Sequence, residues 1–178
     1  QYFFYKPEIT RCILNIGGMS NITWISQTAD GTPLGFDTGP GNALMDLWIS
    51  KWKHQPFDVG GEWASSGSVH EALLNRLLTE AYFQKRAPKS TGRELFNQNW
   101  IERHLTDFGS IDPADVQRTL LELTARSIVD AITQTSPPES SSDKELLVCG
   151  GGVHNLLLMS RLQQLLPAFN VNSTASYG

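Results

Sequence analysis

The stretch "GFDTGPGNALMD", residues 35–46, contains a change of rhythm that decides the fold class. Residues 34–38, "LGFDT", read as a short strand, and Gly39, Pro40 and Gly41 form a tight corner. Leu44, Met45, Trp48, Ile49 and Trp52 then recur at three- and four-residue spacing, one face of a helix with Asn42 at its N-cap. A period of two gives way to a period of 3.6 within a few residues, which points to an α/β arrangement. Asp37 lies at that corner. It is either a turn aspartate or a carboxylate held where it can take a proton from an attacking hydroxyl or water. Asp46, one turn into the helix, reads as a surface acid favoured by the helix dipole.

On the N-terminal side, "CILNIGG" and "NITWISQ" alternate around Gly17 and Gly18, so residues 12–26 read as two antiparallel strands around a glycine turn. With a turn over 29–33 and the strand 34–38, they make a meander. On the C-terminal side, "SVHEALLNRLLTEAYF" (68–83) is read as a helix opened by a Ser68–Glu71 capping box. Residues 112–132 form the clearest helix, capped by Asp112 with Pro113 at its first position. "TSPPESSSD" is a loop by composition, and "ELLVCG" a short apolar run suited to a strand buried on both faces. "GGVHN" turns into the helix "LLLMSRLQQLL", which Pro167 stops, and "FNVNS" is a last strand. The predicted order is βββαααβαβ, a mixed sheet with helices packed on it.

The 178 residues, 40% hydrophobic and 18% charged, suit one core that buries roughly 70% of the unfolded surface. A formal net charge of −4 argues against a nucleic-acid footprint. No run reaches the roughly 18 apolar residues of a membrane span, and the opening "QYFFYKPEITR" lacks the signature of a signal peptide. Cys12 and Cys149 form no CxxC pair and read as small buried thiols of a reducing compartment, and the four histidines share no metal-ligand spacing. A cytoplasmic protein without membrane or nucleic-acid partners is expected.

Three further segments carry candidate chemistry. "NIGGMSN" (15–21) is either a plain hairpin or a turn whose backbone N–H groups meet phosphate oxygens. "CGGGVHN" (149–155), a buried strand feeding three glycines and a helix start, has the geometry at which open α/β sheets bind ligands, although it is neither a G-x-G-x-x-G nor a Walker A sequence. "APKSTGREL" (87–95) offers Lys89 and Arg93 to a phosphate or sugar, or is a solvated helix start with a Thr91–Glu94 capping box.

Taken in order, "LNIGGMSN", "GFDTGPGNALMDLWI", "PKSTGREL-FN" and "LLVCGGGVHNLLLM" resemble the anhydro-N-acetylmuramic acid kinases, over most of the chain from Arg11 onward. The resemblance implies an actin-like ATPase (ribonuclease H-like) fold of the acetate and sugar kinase, heat-shock chaperone and actin superfamily. By it, "NIGGMSN" is the second phosphate loop, with Asn15, Gly17, Gly18, Ser20 and Asn21 on ATP. "CGGGVHN" is the adenosine loop, with Gly150, Gly151, Gly152 and Asn155. Asp37 falls on the catalytic aspartate, while Gly39, Gly41, Asn42, Lys89 and Arg93 are candidate substrate or phosphate contacts. The implied reaction opens 1,6-anhydro-N-acetylmuramic acid with water and phosphorylates O6 from ATP with Mg²⁺, no metal being bound directly by these residues. A homodimer is implied too.

Family members begin with a "GTSxDG"-type phosphate loop that this sequence lacks. Residues 1–178 are therefore expected to be the second, C-terminal domain, truncated at both ends, and inactive by itself. Two alternatives stand beside the kinase: another sugar kinase of the superfamily, or a non-enzymatic actin-like module binding nucleotide or sugar. Exposed-looking Trp52, Trp63 and Trp100 are the only sequence hint of the partner surface such a module would need.

Overall fold

In the computed structural model, residues 9–25, 34–137 and 143–177 are described. The turn expected over 29–33 and the middle of the "TSPPESSSD" loop lie outside them. Strands β1 (Ile9–Ile16), β2 (Met19–Trp24), β3 (Gly35–Pro40), β4 (Asp143–Cys149) and β5 (Phe169–Ser173) form one sheet in the order β3-β2-β1-β4-β5. β2 is antiparallel to both β1 and β3, whereas β1, β4 and β5 run parallel. The β1, β3 and β4 strands therefore end at the same rim of the sheet.

Helices α1 (Ala43–Lys53), α2 (Glu62–Ser66), α3 (Glu71–Leu78), α4 (Gln98–Leu105) and α5 (Pro113–Thr135) lie between β3 and β4, and α6 (Leu156–Leu165) joins β4 to β5. The 23-residue α5 packs across β2 and β3 and against α1, α2, α3 and α6. Its start is as the sequence predicts: Pro113 opens it and the Asp112 carboxylate accepts the Ala114 N–H at 2.8 Å. Cys12, Leu14 and Ile16 of β1 and Leu120, Leu121, Leu123 and Ile128 of α5 are fully or almost fully buried. Each such aliphatic side chain contributes about 1.5–3 kcal/mol relative to exposure. Leu146, Leu147 and Val148 are all buried, as a strand covered on both faces requires. Among the described residues no helix is long and apolar enough to cross a membrane.

The helix starts depart from the sequence reading where distant partners compete. Ser68 does not cap α3, because its N–H donates to Asp115 Oδ1 at 2.7 Å and the His70 N–H donates to Thr119 Oγ1 at 2.9 Å. Those bonds hold the segment extended against α5, so His70 becomes the cap, its Nδ1 accepting the Leu73 N–H at 3.1 Å. The helix ends at Leu78, and residues beyond it form turns that send Tyr82 into the core. Thr91 opens no helix either. The nearest, α4, is capped by Asn97, whose Oδ1 accepts the Trp100 N–H at 3.0 Å. The short α2 and α4 are absent from the predicted order. Of the tryptophans expected to be exposed, Trp100 is completely buried, Trp63 is half-buried and Trp52 is 49% exposed.

Candidate active site

Three glycine turns meet at the common rim: 17–18 after β1, 39–41 at the end of β3 and 150–152 after β4. The N–H groups of Gly41, Asn42 and Ala43 donate to Gly18 O, Gly17 O and Gly18 O at 2.8, 2.8 and 3.1 Å. Asn42 lies in helical backbone (φ −82°, ψ −18°) and makes no side-chain cap. Its Nδ2 donates instead to Ile16 O at 3.4 Å. The two N–H groups leading into α1 and the first of its orphan donors, Ala43 N–H, are thus satisfied by hairpin carbonyls. A Cβ on Gly41 would sit 2.4 Å from Gly17 O, so this approach needs glycine. Thr124 of α5 fixes the corner from below, its hydroxyl donating to Pro40 O and Gly41 O at 3.1 and 3.0 Å. Gly150, at φ 81°, lies against Asn15.

Strand register then brings sequence-predicted residues together. Cys149 pairs with Asn15, Asn15 with Asn21, and Asn21 with Asp37. These four half-buried side chains make a polar row across the sheet, on the face opposite Leu14 and Ile16. Cys149 is therefore not the fully buried thiol expected; its Sγ lies 3.8 Å from Asn15 Oδ1. Cys12 is fully buried, and that burial raises its thiol pKa strongly. Ser20 does not join the row. Alternation along β2 puts it on the buried face with Ile22 and Trp24, where its hydroxyl pairs with Thr38 Oγ1 at 2.6 Å and Gly39 O at 3.3 Å.

Asp37 is held by the 82–91 segment. Its N–H donates to Lys89 O at 3.0 Å and its carbonyl accepts the Tyr82 hydroxyl at 2.6 Å. Its Oδ2 accepts both the Ser90 hydroxyl and the Thr91 N–H, each at 3.0 Å. Oδ1 makes no hydrogen bond to a described residue. The sequence reading singled out Lys89 and Arg93 in this loop and passed over Ser90 and Tyr82. Ser90 sits in the motif already quoted, but nothing local signals a partner 53 residues away. Lys89 turns back on its own loop, its Nζ reaching Tyr82 O at 3.2 Å and Phe83 O at 3.4 Å. Burial, then Lys85, lowers its pKa, with Asp130 opposing.

Arg93 reaches the glycine turn: a Cβ on Gly18 would lie 3.5 Å from its Nη2. It shares a cleft of about 590 Å³ with Ala43, Asp46 and Asn97. Asp46 is not a plain surface acid. Burial pushes its carboxyl up to about 6 against the opposing pull of Arg93. Asp46 also borders a second cleft, of about 320 Å³, with Asn42, Phe57, Gly151, His154 and Asn155 on its walls. Asn155 caps α6, its Oδ1 accepting the Leu158 N–H at 3.0 Å. Among the described residues no group of three His, Cys, Asp or Glu is placed to hold a metal ion.

A mixed sheet whose glycine turns gather at one rim, beside a held carboxylate, defines an actin-like ATPase-fold α/β unit. Two solved structures share this fold: component A of the Acidaminococcus fermentans (R)-2-hydroxyglutaryl-CoA dehydratase and a xyloylose kinase from Brucella ovis. The first aligns with TM-score 0.54 and 13% identity over 93% of this chain and 56% of its own. The second gives 0.50 and 11% over 95% and 36%. The chain belongs to the anhydro-N-acetylmuramic acid kinase family, whose model matches residues 1–178. It is 50% identical to the anhydro-N-acetylmuramic acid kinases of Shewanella woodyi, over 179 residues, and of Shewanella amazonensis, over 178. Each match covers 100% of this chain and 47% of the relative, so the chain spans about half the length of these relatives. Membership in a kinase family disfavours the non-enzymatic module.

Proposed function

We propose that this chain supplies the second of two domains of an ATP-dependent kinase that hydrolyses the 1,6-anhydro bond of anhydro-N-acetylmuramic acid and phosphorylates O6. The observation that carries the reading is Asp37. One carboxylate oxygen is fixed by Ser90 and Thr91 while the other has no hydrogen-bond partner among the described residues, as a general base requires. In the proposed reaction a water oxygen bonds to C1 as its proton passes to Asp37 Oδ1. The C1–O6 bond breaks, O6 takes the γ-phosphoryl group, and ADP leaves. Asn15, Gly17, Gly18 and Asn21 face the phosphates in this reading, with the Arg93 guanidinium over the same turn. Gly150, Gly151, Gly152 and Asn155 face the adenosine, and Gly39, Gly41 and Asn42 hold the corner between. Ser20 and Lys89, engaged internally, serve as ties rather than ligand contacts. Mg²⁺, when bound, would neutralise phosphate charge. A cytoplasmic homodimer completes the reading and rests on the family resemblance alone.

A panel of sugars with γ-labelled ATP tests the reading in the full-length protein. Label is expected in N-acetylmuramic acid 6-phosphate from the anhydro sugar and not in products of acetate or xylulose. Transfer to any of the latter in preference would point to a different kinase of the superfamily.

Ser90 is a positioning residue in this scheme. Ser90→Ala is expected to lower kcat about tenfold, the equivalent of one hydrogen bond orienting the base, with little change in KM for either substrate. Ser90→Thr should restore most of that loss. A rise in KM at constant kcat would make the loop a binding element instead.

A further inference from the structure

Phe57 and Val59 are 55% and 64% exposed, and both belong to the loop between α1 and α2. Two apolar side chains left in water two residues apart forgo burial energy unless something covers them. Their loop is firmly anchored. Asp58, between them, is 8% exposed, and its two carboxylate oxygens accept the Trp63 and Ala64 N–H groups, each at 2.9 Å. The Gln117 side chain of α5 donates to the same carboxylate at 3.3 Å. Gly61, at φ 79°, presses the loop onto the start of α6: a Cβ there would lie 2.5 Å from Asn155 Oδ1 and 2.7 Å from Leu157 Cβ. The anchoring aims Phe57 and Val59 across the cleft of about 320 Å³ at Gly151 and His154. Gly151 offers bare backbone to that space, with only Asn42 Nδ2 near its Cβ position, at 3.6 Å. The same Asn42 amide bonds Ile16 O, so the cleft leads directly to the Gly17–Gly18 turn.

We propose that Phe57 and Val59 form the apolar wall that packs on the purine base of the phosphate donor, with the 151–155 turn as the facing wall. The inference rests on the nucleotide reading above and assigns the base to a loop outside both glycine motifs. A flat apolar ligand group explains why a rigid loop carries an exposed aromatic ring, because base–aromatic stacking recovers the area left in water. The polar rim of Asn42 and His154 suits the base edge and ribose.

Calorimetry on the full-length protein with adenosine, ATP and inorganic tripolyphosphate tests this. Phe57→Ala and Val59→Asp are each expected to weaken adenosine and ATP about tenfold, the low end of a stacking contribution, and to leave tripolyphosphate unchanged. Phe57→Trp should bind adenosine as the wild type does. Unchanged adenosine affinity in both variants would overturn the wall while leaving the nucleotide reading intact. Equal weakening of adenosine and tripolyphosphate would also overturn it, by showing a general loosening of the loop. A wild-type protein that binds neither adenosine nor ATP would remove the nucleotide reading and this inference together.

Discussion

Asp37→Asn in the full-length protein abolishes both ring opening and phosphoryl transfer, while ATP affinity stays within about twofold; this is the expected result with the largest effect on activity. Asparagine keeps the shape of the side chain and can still accept from Ser90 and Thr91 through its oxygen, so the loop stays in place. It cannot take a proton from water. Loss of a general base typically lowers turnover by about 10²–10⁴. Product analysis with labelled ATP measures the loss, and calorimetry checks the retained nucleotide affinity. Turnover within a few-fold of the wild type would remove Asp37 from the proton transfer, whatever its place beside the glycine turns.

The largest expected effect on stability belongs to Trp100→Ala. The indole is completely buried, its ring 5.2 Å from that of Phe96 and 4.4 Å from that of His104, and its Nε1–H donates to Glu80 Oε2 at 2.8 Å. Phe96 in turn touches Tyr82 and Phe83 at 5.7 and 5.6 Å between centroids. Truncation to alanine removes the transfer energy of the ring, opens a cavity and leaves a carboxylate without its donor. A loss of about 3–5 kcal/mol follows in denaturant unfolding. Trp100→Phe retains most of the packing and should lose about half as much. Because Tyr82 belongs to the same aromatic cluster and holds the Asp37 carbonyl, the alanine variant should lose turnover before it unfolds. A loss below about 1 kcal/mol would mean that the cluster is not integral to the fold.

How far the sequence could be read follows the range of the forces involved. The strand–corner–helix change at 35–46, the Asp112–Pro113 helix start and the buried run of β4 all rest on neighbours within a few residues, and local patterning reveals them. The cap of α3 does not, because Asp115 and Thr119 claim the Ser68 and His70 amides from nearly fifty residues away. The face taken by Ser20 follows from its alternation with Ile22 and Trp24, but its hydroxyl partner, Thr38, is set only when β2 pairs with β3. In the site itself, the glycine turns and Asp37 were legible as motifs. Their joining was not, since the bonds from Gly41 to Gly18 and from Ser90 to Asp37 exist only once the sheet has formed.

β3 is one of the two edge strands of the sheet, and such edges invite other chains to add a strand. Here the Asp37 N–H is already taken by Lys89 O, and Ser90 and Thr91 close over the carboxylate beside it. The segment that aims the base is thus also the cover that keeps the edge from templating aggregation. A change that frees it would appear first as material lost from solution and only then as lost turnover in what remains.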